Sequence, residues 1–100
     1  MSVLQIAEIP YPSGALKYRC AGYPSEDGAS WIRHGLFLAY YEDGTTKSEG
    51  TYSHGVEHGE WRDFHANGQI AAEGLYENGE EVGIWRFWSA DGVQESSGAV

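Results

Sequence analysis

Basic side chains are scarce in this sequence of 100 residues, which has six lysines and arginines against fifteen aspartates and glutamates. The formal net charge is −9, and a surface of that sign repels phosphate backbones and anionic lipid headgroups. The composition therefore argues against nucleic acid and membrane surfaces as partners, and it favours a basic protein as the partner.

Cysteine is nearly absent, since Cys20 stands alone and no intramolecular disulfide can form. A lone thiol is typical of a reducing compartment. The N-terminus lacks the basic segment of a signal peptide, and no apolar run approaches the roughly 18 residues of a membrane helix. We therefore expect a soluble, cytoplasmic protein.

Signatures of catalysis are also missing. The sequence has no Gly-rich phosphate loop, no G-x-S-x-G elbow and no Cys–His nucleophile pattern. Its four histidines lie next to glycines or between aromatic positions, so we interpret them as turn or surface residues rather than metal ligands: His34, His54, His58 and His65. We expect no enzymatic activity, no catalytic residues, no metal and no cofactor.

Glycine and aromatic residues are abundant, with 14 of each, and they recur in one register of 24 residues. Identity and spacing are both kept, which indicates a repeat. The aligned sets are Gly35, Gly59 and Gly83; Phe37, Trp61 and Trp85; Tyr40, Phe64 and Trp88; Gly50, Gly74 and Gly98; and Tyr52 with Tyr76.

The register divides a single domain into units. Residues 34–57, 58–81 and 82–100 form three repeats, and residues 1–33 form an N-terminal capping segment with a partial, degenerate copy. An insertion of about six residues between Pro24 and Ser30 separates that copy from the first full unit.

Glycine follows a polar residue at regular intervals, and the segments between these pairs are short and rich in aromatics, as in strands. The pattern predicts an all-β fold, an elongated single antiparallel sheet of repeated β-hairpins with almost no helix. Type I′ turns are expected at Asp43–Gly44, His54–Gly55, Asn67–Gly68, Asn78–Gly79 and Asp91–Gly92.

The aligned aromatics are expected to stack into one apolar row, with Gly50, Gly74 and Gly98 allowing close packing of rings on backbone. Trp61 and Phe64 are three residues apart, which strict alternation would place on opposite faces. Either a β-bulge between them or a sheet covered on both sides would resolve this conflict.

The pattern G.W..F..NGQ....G.Y.NG....G.W over residues 59–85 resembles the variant MORN repeat, and more particularly it resembles bacterial proteins built from that repeat, the antitoxins of the YwqK family. The likeness covers residues 34–98 well and 11–33 weakly. It implies a β-hairpin sheet that acts as a protein-binding scaffold and neutralises a toxin or secreted effector.

Acidic side chains cluster at the end of the first unit and in the second unit, and they could attract a basic toxin or effector if the hairpins bring them together. Ordinary solubility charge is the alternative interpretation. The candidate contacts are Glu57, Glu60, Asp63, Glu77, Glu80 and Glu81 for attraction, with any exposed ring among Trp31, Tyr40, Tyr41 and Trp88 as an anchor. A scaffold or homodimer that self-associates through open sheet edges is the alternative function.

Overall fold

Short strands joined by tight turns make up the whole of the described chain. The structure is a computed structural model, and it describes residues 4–99. Nine strands are present in this range: β1 (Gln5–Pro10), β2 (Leu16–Pro24), β3 (Trp31–Tyr40), β4 (Thr46–Ser53), β5 (Val56–Glu57), β6 (Gly59–Phe64), β7 (Ile70–Glu77), β8 (Glu80–Trp88) and β9 (Gln94–Ala99).

The strands form one open antiparallel sheet in the order β1-β2-β3-β4-β6-β7-β8-β9, with the short β5 paired to β4. Its extents of 46 × 35 × 16 Å are those of a single thin layer. The predicted all-β sheet of hairpins is confirmed. Within residues 4–99 the chain has no helix that could span a membrane.

Two kinds of hairpin turn alternate along the chain, whereas one kind was predicted. His54 and Asn78 have φ values of 48° and 53°, and each precedes a glycine with positive φ, which makes two type I′ turns. At Asp43–Gly44 only the glycine has positive φ. The loop there is longer, and within it the Asp43 carboxylate accepts a hydrogen bond from the Thr45 backbone N–H at 3.0 Å. The type I′ prediction is therefore wrong at Asp43, Asn67 and Asp91.

A β-bulge lies opposite the segment between Trp61 and Phe64. Asp63 pairs with Ala72, but Phe64 pairs with Ile70, so one residue of β7 is skipped between the two aromatics. The extra residue belongs to β7 and not to β6, so β6 alternates regularly and Trp61 and Phe64 lie on opposite faces, which the expected bulge between them would have prevented. The same irregularity recurs opposite the equivalent positions of β3 and β8.

A row of aromatic rings forms the core on one side of the sheet. Phe37, Trp61 and Trp85 are only 6%, 9% and 4% exposed. Phe37 stacks on Trp61 at a centroid distance of 5.6 Å, but Trp61 reaches Trp85 through Tyr76, which meets them edge-on at 5.5 and 5.1 Å. The predicted row therefore exists as an alternation of rings in which tyrosines fill every second place.

Glycine lies beneath each tryptophan of this row. A Cβ atom on Gly50 would lie 2.1 Å from Trp61 Cε3, and one on Gly74 would lie 2.1 Å from Trp85 Cδ2. The expected contact of rings with backbone is thus confirmed at these two positions. It is wrong for Gly98, where nothing lies within 4 Å, because β9 is the last strand described and no ring follows it.

The repeats offer a matched pair of substitutions that measures this packing. Gly74→Ala should destabilise the protein by about 1–3 kcal/mol, because the new methyl group must displace the Trp85 ring. Gly98→Ala, at the equivalent position but without a ring, should leave the unfolding midpoint in urea almost unchanged. Equal effects of the two substitutions would contradict the packing account.

The turn carboxylates make stability depend on acid pH. Hydrogen bonds from the Thr45 hydroxyl and then from its backbone N–H lower the pKa of Asp43. A lowered pKa in the folded state adds stability above the ordinary value of about 4, and that stability is lost as pH falls through the lowered value. In urea unfolding repeated across this range, Asp43→Asn should flatten the pH dependence, and an unchanged slope would contradict this assignment.

A candidate protein-binding face

Strand alternation gives the sheet two chemically different faces. We call the one that carries the ring row the aromatic face; its central residues are Phe37, Tyr52, Trp61, Tyr76 and Trp85. The other we call the salt-bridge face, on which Arg62 lies between Glu49 and Glu73 of the neighbouring strands.

Charges on the salt-bridge face are paired with one another. Arg62 lies 3.5 Å from Glu49 and 3.5 Å from Glu73, and Arg19 lies 3.8 Å from Glu8. Exposed pairs of this kind stabilise a fold by about 1 kcal/mol or less. Two shallow depressions on this face, of about 400 and 340 Å³, share Glu60 and Arg62 as lining residues. The mutual pairing leaves little net charge to attract a partner here.

Three of the acidic candidates meet on the aromatic face around Tyr76. Glu81 pairs with Tyr76 across β7 and β8, and Glu57 occupies the equivalent place beside Tyr52. Burial raises the pKa of the Tyr76 hydroxyl, and the carboxylates of Glu81, Glu57 and Asp63 raise it further. We call these three acidic residues, together with Tyr76, the acidic cluster.

The remaining acidic candidates lie outside the acidic cluster. Glu60 alternates with Trp61 along β6 and lies on the salt-bridge face. Glu77 and Glu80 oppose each other next to the Asn78–Gly79 turn, where both are exposed. The structure thus brings three of the six acids together and places the other three elsewhere.

The four candidate anchor rings are half-buried rather than exposed: Trp31, Tyr40, Tyr41 and Trp88. Trp31 packs on Gly22, whose Cβ would lie 2.6 Å from Trp31 Cη2. The Tyr41 hydroxyl donates to the Phe64 carbonyl at 2.7 Å, and His65 Nε2 donates to the Trp88 carbonyl at 2.8 Å. Tyr41 thus joins successive hairpins, which accounts for its ring without a partner protein.

Two of the histidines hold the type I′ turns in place. His34 Nδ1 accepts the His54 backbone N–H at 3.0 Å, and His58 Nδ1 accepts the Asn78 N–H at 3.4 Å. In the described part of the chain no three His, Cys, Asp or Glu side chains are arranged to hold a metal ion.

Arg33 is the feature of this face that the sequence analysis did not single out. Its guanidinium carbon lies 5.7, 5.0 and 5.4 Å from the ring centroids of Tyr18, Phe37 and Tyr52. Its Nη1 donates to the Tyr52 hydroxyl at 3.3 Å. The signal was present in the sequence, because the 24-residue register aligns Arg33 with Glu57 and Glu81. One end of the aromatic face is therefore basic and the other acidic.

Comparison with known proteins identifies the repeat. The family model described as MORN repeat variant matches residues 33–54 and 57–78, two segments whose starts are 24 residues apart. These two segments, which together make up less than half of the chain, are therefore similar to the variant MORN repeat. No curated protein and no solved structure gives a significant match.

The acidic cluster can be tested by titration of Tyr76. Removing two carboxylates with Glu57→Gln and Glu81→Gln should lower its pKa towards the ordinary value of about 10, because part of the electrostatic cause is gone. NMR of isotope-labelled tyrosine would follow the hydroxyl with pH. Glu60→Gln, on the opposite face, should leave the Tyr76 titration unchanged.

Because the pKa of Tyr76 is raised in the folded state, the protein should lose stability at alkaline pH. The contribution of Tyr76 is fully present below about pH 10 and is lost as pH rises through the raised value. The double variant Glu57→Gln, Glu81→Gln should lose less stability than the native chain as pH rises above about 10. A Tyr76 titration that responds equally to Glu60→Gln and to the double variant would contradict the cluster.

Proposed function

We propose that this chain, with its variant MORN repeats, is a non-enzymatic protein-binding module that receives a basic segment of a partner protein on its aromatic face. The observation that carries the proposal is the placement of three acids beside the ring row: Glu57 pairs with Tyr52, Glu81 pairs with Tyr76, and Asp63 accepts a hydrogen bond from Trp61 Nε1 at 3.2 Å. A surface with several carboxylates beside apolar rings attracts cationic side chains and offers them apolar area.

The pairing of charges favours this face over the other one. Among residues 4–99, the cationic nitrogens that lie within 4 Å of carboxylates belong to Arg19 and Arg62, which are outside the acidic cluster. The three carboxylates of the cluster therefore keep their charge for a partner. Because residues 34–100 carry the entire charge of −9, long-range attraction acts on the same half of the molecule.

We propose further that the partner is a toxin or secreted effector that this chain neutralises in the cytoplasm. The support is the resemblance of the repeats to YwqK-family antitoxins, together with the acidity that a basic target requires. Nucleic acid and lipid remain poor candidates on this proposal, because both carry the same sign of charge as the chain.

The experiment that tests this function is capture of the partner by the tagged chain from its native cells at moderate salt. One stoichiometric polypeptide is expected, toxic when expressed alone and harmless when expressed together with this chain. Capture of only the chain itself, under several growth conditions, would contradict the proposal. A captured protein that is harmless alone would contradict the antitoxin role and keep the binding module.

Charge reversal in the cluster should slow association with the captured partner. Glu81→Lys should lower the association rate at low salt by about tenfold, because the residue lies beside Tyr76 on the aromatic face. Glu60→Lys makes the same change of charge on the salt-bridge face and serves as the control. If stopped-flow rates fall equally for the two variants, the aromatic face is not the docking surface.

Self-association is the second candidate function, and the exposure of β1 favours it. This strand lies at one end of the sheet, and its Ile6 side chain is 57% exposed. An open edge with an exposed apolar residue can pair with a second chain. Light scattering over a range of concentrations separates the two functions: growth in mass supports self-association, and a constant monomer mass excludes it.

A further inference from the structure

A row of charged side chains crosses the salt-bridge face at right angles to the strands. Cross-strand pairing places one residue of every strand except β5 in this row, and the charges along it alternate strictly in sign. Leu38 interrupts the row at β3, and Ser97 ends it at β9. We call this row the charge ladder, and its charged members, in order across the sheet, are Glu8, Arg19, Glu49, Arg62, Glu73 and Arg86.

Four charges of the ladder lie on adjacent strands, β4, β6, β7 and β8, and this part of the ladder is complementary to itself. Its order is carboxylate, guanidinium, carboxylate, guanidinium. When a second copy faces it in the antiparallel direction, Glu49 lies opposite Arg86 of the second copy. Arg62 then lies opposite Glu73 of the second copy. A parallel arrangement, or a shift by one strand, would place like charges opposite each other, so the ladder selects one orientation.

Exposed apolar side chains lie beside the ladder on the same face. Leu36, Leu75 and Ile84 are 49%, 46% and 56% exposed. Leu36 lines one of the two depressions of this face, and Leu75 and Ile84 line the other. A second sheet packed about 10 Å away would cover them. A face of 46 × 35 Å is larger than the roughly 800 Å² that each partner buries in a stable interface, so the area is sufficient.

The distribution of charge lets two acidic chains approach each other through this face. The ladder contains as many guanidinium groups as carboxylates, so it carries no net charge. The acidic cluster lies on the aromatic face, which points away from a second copy seated on the ladder. Repulsion between two chains of charge −9 is therefore weakest when their salt-bridge faces meet.

We propose that two copies of this chain pack salt-bridge face to salt-bridge face in an isologous dimer, with their charge ladders antiparallel. The sheets then form a two-layer sandwich whose strands cross at about 30°. Arg62 keeps the two carboxylates of its own chain, each 3.5 Å away, and gains one from the second copy, so its charge is not buried without a partner. The inference goes beyond the proposed function, because both aromatic faces point outwards and stay open to the basic partner.

The mass of the native chain in solution is the first test. Sedimentation equilibrium of the full chain should show a dimer whose mass does not grow further with concentration, because an isologous interface closes on itself. The dissociation constant should rise with salt, since the ion pairs between the copies are screened. A monomer at every concentration would overturn the dimer, and growth beyond the dimer would overturn the closed arrangement.

Charge reversal in the ladder tests which face is used. Glu49→Arg places a cation opposite Arg86 of the second copy and should raise the dimer dissociation constant by about tenfold or more. The same change brings the net charge of −9 closer to zero, so weaker association cannot arise from general repulsion. Glu8→Arg is the matched control, because Glu8 also pairs with an arginine of its own chain but lies outside the four overlapping strands. Its dissociation constant should match that of the native chain.

Mixing two variants gives the sharpest test. Arg86→Glu alone should weaken the dimer as Glu49→Arg does, because it places two carboxylates opposite each other. In an equal mixture of the two variants, the reversed charges face each other in a heterodimer, and native mass spectrometry should show that heterodimer in excess over both homodimers. Contacts within one chain cannot produce this rescue, because β6 and β7 separate the two positions.

Two further results would overturn the dimer through this face. They are equal dissociation constants for Glu49→Arg and Glu8→Arg, and a mixture in which heterodimers are no more abundant than homodimers. Melting temperatures show whether each variant is folded, and if Glu49→Arg is not, Arg86→Glu with Arg19→Glu as its control decides the question. None of these measurements depends on a partner captured from cells, so the proposed function is tested separately.

Discussion

The rest of the structure depends on one contact. Each large aromatic ring packs on a residue with a small side chain, or none, on the neighbouring strand. A single-layer sheet has no second layer to cover its apolar side chains, so rings must be covered within the same face. Gly50 and Gly74 let Trp61 and Trp85 lie directly on the backbone, and Tyr52 and Tyr76 close the gaps between rings. In the first unit the ring is the smaller Phe37 instead of a tryptophan, and it pairs with Cys20, which is larger than glycine and 1% exposed.

The sequence was sufficient to predict most of the fold, because hydrophobic and glycine positions recur at one spacing. Turn types were harder to predict, since Asp43 and His54 both precede glycine, yet only His54 adopts positive φ. The difference arises from the side-chain hydrogen bond of Asp43 to Thr45, a contact that depends on loop length rather than on composition. The predicted packing of a ring on Gly98 was wrong for a different reason. Gly98 keeps its place in the 24-residue register, but no aromatic ring packs on it.

The binding face was predictable in part for a related reason. The register alone places Glu57 and Glu81 at equivalent positions, and their pairing with Tyr52 and Tyr76 follows from hairpin geometry. Glu60 and Asp63 are near neighbours in sequence but lie on different faces, which only the alternation along β6 reveals. The cation–π contacts of Arg33 involve three rings from three strands, and no local sequence pattern predicts such contacts.

The central claim is that the acidic half of the aromatic face, and not the salt-bridge face, meets the partner. The most direct measurement is a crystal structure of the chain bound to the partner that it captures. The account predicts a basic segment across β6, β7 and β8 on the aromatic face, beside Glu57 and Glu81. A partner seated on Arg62 and its paired glutamates, with the aromatic face left uncovered, would contradict it.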